Sequence, residues 1–428
     1  MKLGAMIGLL IILAVSKLHI IHTLITIFVN SFIILHINKS YCHIMSFIFS
    51  FLYLIFFRMT IYFGLPYPPN HTNLIQMILT LKLVGLAFEV NTEYINKKTC
   101  DIKRHDESQK NEVHELNLKH WDIFCYSIHY IGVLTGPYFK YKTYYDHLYK
   151  TFNQNDNYTQ EIKRKFIPYL PIFAAVYLLT DYFWPLSYLT TVEFDQRSFL
   201  YRYWYIWPTF LNFRMRIYIG LILSECVCIM GGLGVYPKFC KNEPGNGPTE
   251  KYTKLDEICK DDNLLKKIEY DYETVHNINT YATEFYPTLR EGMRNWNMTV
   301  QYWLATCIYK RYPSKKYRTF ATMFVSGMWH GVYSGYYISV GMIPFGLIVE
   351  DVWAKILLKN NFLLPKNIGY LIMLFLKMQF FSYAALAFSL LQVNKIIHYY
   401  NSVYHWMIFF QIGLYLIGVI LIKYKKSY

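Results

Sequence analysis

Long apolar stretches separated by short polar strips make up almost the whole chain. Apolar runs occur at roughly Leu3–Ser16, Leu18–His36, Cys42–Phe57, Leu74–Phe88, Ile123–Leu134, Phe166–Phe183, Tyr203–Leu211, Ile217–Val235, Phe320–Val349, Ile368–Leu391 and Tyr404–Ile422. Several reach the roughly 20 residues that a helix needs to cross about 30 Å of hydrocarbon. The shorter ones must tilt, borrow flanking residues or form re-entrant segments buried in protein, because lipid offers no partner to open backbone. The period-2 alternation of a β-barrel is absent. The pattern predicts an all-alpha, polytopic helical membrane protein of about nine to eleven membrane segments, folded as a single domain over residues 1–428. Lys2 followed by Leu3–Ser16 has the outline of a signal peptide, but no small-x-small cleavage site follows, so it is expected to stay as a membrane segment.

Two stretches read as loops. Asn91–His120 is dense in Lys, Asp, Glu and Asn, and Lys238–Glu273 gathers Pro, Gly and charge around Asn242-Glu-Pro-Gly-Asn-Gly-Pro248. A third polar strip, with Lys310, Arg311, Lys315, Lys316 and Arg318, precedes the long Phe320 run. Composition agrees with a membrane protein: 54% of residues are hydrophobic and 17% charged, against about 25% charged in soluble domains. The net charge of +15 lies in those strips, as expected of cytosolic edges facing anionic headgroups rather than of a nucleic-acid partner. The eight cysteines show no zinc or disulfide spacing. The chain has no G-x-G-x-x-G, P-loop, H-E-x-x-H or C-x-x-C-H, which removes nucleotide-fold, metalloprotease and haem readings. Carboxylates are scarce inside the spans, with Glu89, Asp181 and Glu225 the main exceptions, which weakens proton-coupled transport.

Among 14 histidines, His330 stands apart, well inside the Phe320–Val349 run. An imidazole there is costly unless paired or functional. In a continuous helix Ser326, His330 and Ser334 would align, with Gly327, Gly331 and Gly335 as an adjacent line of small residues. The ring is either a structural histidine bonded across helices or a base able to take a proton near neutral pH. Upstream, Asn297 and Gln301 are expected on one helical face, with Trp296, Val300, Trp303 and Cys307 as an apolar stripe. An uncharged amide can donate to a developing oxyanion; the alternative is a helix cap beside a belt of tryptophans. Arg214 and Arg216 precede Glu225, and lipid exposure of those charges would be expensive, so they either pair structurally or meet a headgroup or phosphate. The strip at Lys310 and Arg311 is a positive-inside signal that could also attract a phosphorylated ligand. Thr135-Gly-Pro-Tyr138 suggests a broken helix at a membrane edge.

With these residues in view, the chain resembles a membrane-bound O-acyltransferase of the lysophospholipid-acylating branch. The matching pieces include Leu81-Lys-Leu-Val-Gly-Leu-Ala-Phe-Glu89, Tyr130-Ile-Gly-Val-Leu-Thr-Gly-Pro-Tyr138, Phe213-Arg-Met-Arg216, Glu269-Tyr-Asp-Tyr-Glu-Thr274, Trp296-Asn-Met-Thr-Val-Gln301, Trp329-His-Gly331, Gly335-Tyr-Tyr337 and Phe375-Leu-Lys-Met378. Ser334 departs from the resemblance, standing where phospholipid-acylating relatives generally carry proline. The resemblance implies transfer of a fatty acyl group from acyl-CoA to the sn-2 hydroxyl of a lysophospholipid, with His330 and Asn297 as the catalytic pair. It further implies lysophosphatidylinositol as acceptor and a polyunsaturated, arachidonoyl donor; lysophosphatidylcholine, lysophosphatidylethanolamine and lysophosphatidylserine are the alternative acceptors. Arg214, Arg216, Gln301, Trp296, Lys310 and Arg311 are the candidate substrate-binding residues. Acyl-CoA is a substrate, so no cofactor or metal is expected, and no nucleic acid or obligate protein partner is implied. The expected location is the endoplasmic reticulum membrane as a multi-pass protein, with Lys425-Lys-Ser-Tyr428 as a dilysine-like retrieval signal.

Overall fold

A computed structural model of the chain describes residues 1–103, 117–150, 158–250, 255, 261, 263, 267–359 and 364–426. Those residues are overwhelmingly helical. Among the described residues, five segments are long and apolar enough to cross a membrane: Lys2–His36, Asn70–Thr99, Tyr158–Thr190, Lys366–Leu390 and Trp406–Tyr424, with Cys42–Arg58 as a shorter apolar helix. The chain is a multi-pass helical membrane protein. Six of its cysteines, at 42, 125, 226, 228, 240 and 307, are free and buried, so they pack as small hydrophobes.

By contact the chain divides into two compact units. The first comprises Met1–Lys165, Leu223–Asn277 and Thr299–Cys307. Its first two helices, Lys2–Ser16 and Ile20–His36, part where Lys17 takes a positive φ of 48°. The first helix packs closely: a Cβ on Gly8 would lie 1.7 Å from the carbonyl oxygen of Ile128. Between Ile20–His36 and Cys42–Arg58, the buried Asn30 amide donates to Ser50 Oγ at 3.0 Å, and a polar clasp of this kind adds specificity to an otherwise apolar contact. Asn70–Lys103 is a single helix of 34 residues, with Leu79, Leu83, Leu86 and Ala87 buried in the core. The expected loop at Asn91–His120 is therefore corrected over Asn91–Lys103, where the polar residues extend the helix; residues 104–116 of that loop lie outside the described residues.

The stretch at Lys238–Glu273 contains two short antiparallel ladders. Tyr236–Pro237 pairs with Tyr270–Asp271, and Asn242–Glu243 pairs with Gly247–Pro248. Gly245 and Gly247 sit at φ 72° and 82°, a left-handed backbone that favours glycine. The ladder is tied to its surroundings by Asn246, whose Oδ1 accepts from Lys140 Nζ and from Tyr302 Oη at 2.9 Å. Glu225 is buried beneath this region and accepts from Asn277 N at 2.7 Å and Lys165 Nζ at 2.9 Å.

The second unit comprises Phe166–Ile222, Ile278–Met298 and Ile308–Tyr428. Its core gathers Leu189, Phe194, Tyr205, Phe210, Phe380, Tyr383, Ala384 and Tyr399, among others. The apolar run Phe320–Val349, expected as one continuous segment, forms two helices, Arg318–His330 and Ser334–Ala354. They pack along each other, with Gly327 leaving room for Tyr337. Lys366–Leu390 docks on Ser334–Ala354 where Gly346 meets Phe380 and Gly335 meets the Ala387 carbonyl. Trp353 Nε1 donates to Leu414 O at 2.9 Å, and Gly418 faces Val352. These contacts bring the end of Ser334–Ala354 level with the middle of Trp406–Lys426, while residues 331–333 and 391–392 lie at the opposite end of Ser334–Ala354. Residues 427–428 of the dilysine-like tail lie outside the described residues.

Candidate active site

His330 is the last residue of its helix, and the chain turns away at Gly331. The expected alignment of Gly327, Gly331 and Gly335 along one helix is corrected by this break. Its cause lies in side-chain packing: a Cβ on Gly331 would fall 2.5 Å from Tyr336 Cε2, and one on Gly335 would fall 2.2 Å from Ala387 O. Glycine at both positions lets the Tyr336 ring and the neighbouring helix approach the backbone. Gly335 N donates to Leu391 O at 2.8 Å, and Ser334 Oγ donates to the same oxygen at 3.3 Å. Ser334 thus makes a bond that proline at that place could not make. Around the half-buried imidazole stand Trp329, Tyr336 and Phe388, with ring centroids 4.8, 5.8 and 4.8 Å away.

Asn297 belongs to the same unit and has a positive φ of 47°. It lies between the short helices Leu289–Arg294 and Met298–Trp303, so the expected shared helical face of Asn297 and Gln301 is corrected. The reason is local: asparagine is among the few side-chain-bearing residues that tolerate the left-handed region. The approach to this turn is capped, since Thr288 Oγ1 accepts from Glu291 N at 3.2 Å and donates to Glu291 Oε2 at 2.7 Å. Asn279 N donates to Asn295 O at 3.0 Å and closes the segment on itself. Trp296, immediately before Asn297, lies nearly parallel to Phe213 at 6.3 Å and tilted against Tyr218 at 5.5 Å. Gln301 is half-buried in the first unit, in the helix Met298–Trp303.

The two arginines separate. Arg214 is buried, with Nε donating to Glu284 Oε1 at 2.7 Å and NH2 to Glu284 Oε2 at 3.2 Å. Tyr218 Oη adds a third bond to Glu284, at 2.6 Å. Arg216 is exposed, its guanidinium 5.8 Å from the Phe213 ring. Lys310 and Arg311 are exposed at the end of the wide-turn helix Leu304–Tyr309. Two residues given no role in the sequence analysis complete the network: Glu284 itself, and Lys377, whose amine donates to the carbonyls of Thr283, Glu284 and Tyr286 at 2.9, 3.0 and 2.7 Å. Glu284 lies 70 residues beyond Arg214, so only the fold pairs them. The motif Phe375-Leu-Lys-Met378 was the available signal for Lys377.

Beyond the break that follows His330, the second unit holds a cavity of about 330 Å³ whose walls include Ser187, Thr190, Tyr333, Ser389, Gln392 and Lys395. Hydroxyls, an amide and an amine share its walls with Leu186, Leu390 and Leu391, so the space offers both polar and apolar surface, at the end of the helices away from Arg318.

The comparisons with known proteins agree with this architecture. The membrane-bound O-acyltransferase family matches residues 42–393, through both units, and the chain belongs to that family. It is accordingly an enzyme, an acyl-CoA-dependent O-acyltransferase. Among similar proteins, the membrane-bound acylglycerophosphatidylinositol O-acyltransferase frj of Drosophila melanogaster is 39% identical, over 96% of this chain and 85% of its own length. The corresponding mboat7 protein of Xenopus laevis is 37% identical, over 98% of this chain and 88% of its own. The human MBOAT7 protein, of the same description, is 34% identical, over 96% and 87% respectively.

Proposed function

We propose that this enzyme transfers a fatty acyl group from acyl-CoA to the sn-2 hydroxyl of lysophosphatidylinositol, with His330 as general base and Asn297 as the group that steadies the thioester carbonyl. The observation that carries the acceptor is the relatives from fly, frog and human, each described as acting on acylglycerophosphatidylinositol and each aligned over at least 96% of the chain. The acyl donor is inferred to be polyunsaturated, arachidonoyl above all, from the family resemblance. The endoplasmic reticulum is the proposed membrane, from the family resemblance.

In the proposed step, a ring nitrogen of His330 takes the proton of the sn-2 hydroxyl as its oxygen attacks the thioester carbon. The new C–O bond forms, the C–S bond breaks, and the proton passes from the imidazolium to the departing thiolate, which leaves as coenzyme A. A base set at the end of a helix between aromatic rings is held in a narrow range of orientations, which is what proximity catalysis requires. The Asn297 amide would donate to the carbonyl oxygen as charge develops there. Coenzyme A is negatively charged and would approach the exposed Lys310 and Arg311; the acceptor headgroup would occupy the cavity beside Tyr333. Of the two arginines, Arg216 is the better phosphate candidate, because Arg214 is paired with Glu284. Trp296, next to Asn297, remains a candidate for contact with substrate. An inositol ring offers hydroxyls that a polar pocket can recognise, and a site built for them rejects analogues that leave its donors unpaired.

The test is a panel of lysophospholipids given in competition to the purified enzyme. Higher catalytic efficiency with lysophosphatidylinositol than with the choline, ethanolamine and serine analogues is expected. Equal or greater efficiency with lysophosphatidylcholine would overturn the headgroup assignment.

A further inference from the structure

We propose that Phe388 is a positioning residue for His330, and that with Phe213 it forms an aromatic bridge from the imidazole to the turn that carries Asn297. The proposal rests on the acyl-transfer reading above and adds to it a device that keeps the two polar groups in register. Phe388 meets His330 edge-on, with centroids 4.8 Å apart and planes at 81°. It meets Tyr336 in the same manner at 4.7 Å and 67°. Tyr336 in turn lies 5.8 Å from His330, so three rings form a closed triangle in which no one ring turns without disturbing the others. On its other side Phe388 stands edge-on to Phe213 at 5.6 Å and 66°. Phe213 lies nearly parallel to Trp296 at 6.3 Å, with 6° between planes, and Trp296 adjoins Asn297 in the chain.

The backbone under Phe388 is fixed as firmly as its ring. Ala387 O faces Gly335 so closely that a Cβ would not fit, and Leu391 O accepts from Gly335 N and Ser334 Oγ. The height of Phe388 along its helix is therefore set by the first turn of Ser334–Ala354, which begins four residues after His330. Edge-to-face contact is the preferred arrangement of aromatic rings, because the positive edge of one meets the negative face of the other. Phenylalanine has no proton to exchange and no hydrogen bond to offer substrate. Its action is on the orientation of the base, and small errors in that orientation are expensive in rate.

The experiment uses the full-length enzyme, purified in detergent and checked for monodispersity, with initial rates expressed per folded molecule over ranges of acyl-CoA and lysophosphatidylinositol. Phe388→Leu keeps an apolar side chain and removes the ring; its kcat is expected to fall about 10- to 100-fold while both KM values stay within about twofold. Phe388→Tyr keeps the ring and is expected to recover kcat to within about threefold of wild type. Phe213→Leu is expected to give a smaller loss in kcat, and the double variant a loss smaller than the product of the two, as for residues that act as a unit. Wild-type turnover in Phe388→Leu, an unchanged kcat with raised KM, or strictly multiplicative losses in the double variant would each overturn the proposal. Should Phe388→Leu fail to fold, Phe388→Met carries the same expectations. His330→Ala serves as the reference: if it is inactive and Phe388→Leu is normal, the bridge alone is wrong, whereas an active His330→Ala overturns the acyl-transfer assignment beneath it.

Discussion

Two polar clusters in the second unit, one around Arg214 and one around His330, solve the problem of burial in opposite ways. At Arg214 the charge is paired: Glu284 receives two bonds from the guanidinium and one from Tyr218, and Lys377 donates to three nearby carbonyls. At His330 the walls are aromatic, contributed by Trp329, Tyr336 and Phe388, and a cavity opens past the helix end by Tyr333. A buried charge paired in a bidentate manner is costly to break, because removing the partner leaves the other charge uncompensated. An imidazole packed among rings is restricted in orientation by their shape, which is what the proposed general-base role requires. The contrast sets a residue bonded to an opposite charge against one packed among rings, and removing one member of each cluster tests whether the two differ in role.

The most direct way to break this comparison is to cut one residue from each cluster. His330→Ala should lower turnover by about 10²- to 10⁴-fold with folded yield preserved, and Glu284→Ala should cost about 3–5 kcal/mol of stability by stranding Arg214. Turnover per surviving folded molecule of Glu284→Ala should remain near wild type. Detergent size-exclusion profiles and thermal unfolding beside initial rates separate the two outcomes, and parallel loss of yield and activity in both variants would erase the distinction.

Asn297 offers a finer division, because its backbone and its amide can be tested apart. Asn297→Ala loses both the left-handed tolerance and the amide, and a slowing of about 10²-fold is expected from an oxyanion-type contact. Asn297→Gly accepts φ 47° without strain, so it should fold as well as wild type yet remain as slow as the alanine variant. Recovery of rate in the glycine variant would show that the residue is kept for its backbone.

The smallest effect concerns a charge pair in the first unit that is partly open to solvent, and it sharpens the comparison from the other side. His276 Nδ1 lies 2.9 Å from Glu273 Oε2. Burial opposes the charged imidazole, but the hydrogen bond it donates to Glu273 and the charge of Glu225 outweigh it and raise the His276 pKa. The same bond lowers the pKa of Glu273 against the opposing effect of burial. The histidine contribution to stability is complete below its ordinary value of 6.5 and is lost as pH rises through the raised value. The glutamate contribution is present above its ordinary value of 4.5 and is lost as pH falls through the lowered one. Thermal unfolding should therefore show the pair at its strongest between those two ordinary values, with a decline above them worth less than about 1 kcal/mol. His276→Gln should flatten the alkaline side of that profile, and an unchanged profile would remove the pair from the stability account.

The candidate site residues stood out in the sequence because membrane burial makes polar residues conspicuous. His330 in an apolar run rich in glycine and Asn297 between tryptophans both drew attention for that reason. The break at residues 331–333 was not legible, since the run from Phe320 to Val349 carries no charged residue or proline near that point and the close approaches there are of Tyr336 to Gly331 and of Ala387 to Gly335. The left-handed turn at Asn297 was likewise hidden within a helical pattern of aromatic residues. The partner of Arg214 could not be read at all, because Glu284 is distant in the chain and Glu225, the nearer candidate, is engaged by Lys165 and Asn277 N. Local periodicity reports which residues leave water; which groups then meet is decided by packing between segments far apart in sequence.

Quenched single-turnover measurement on wild type and His330→Ala, with labelled acyl-CoA and lysophosphatidylinositol, tests the central claim most directly. Coenzyme A released, labelled phospholipid formed and the mass of the intact protein would be read from the same samples. For wild type, direct transfer predicts equal amounts of coenzyme A and phosphatidylinositol with no acylated protein, and for folded His330→Ala the loss of both products together. A folded His330→Ala enzyme retaining more than about one-tenth of wild-type turnover, or an acylated protein competent to pass its acyl group to the lysolipid, would contradict it.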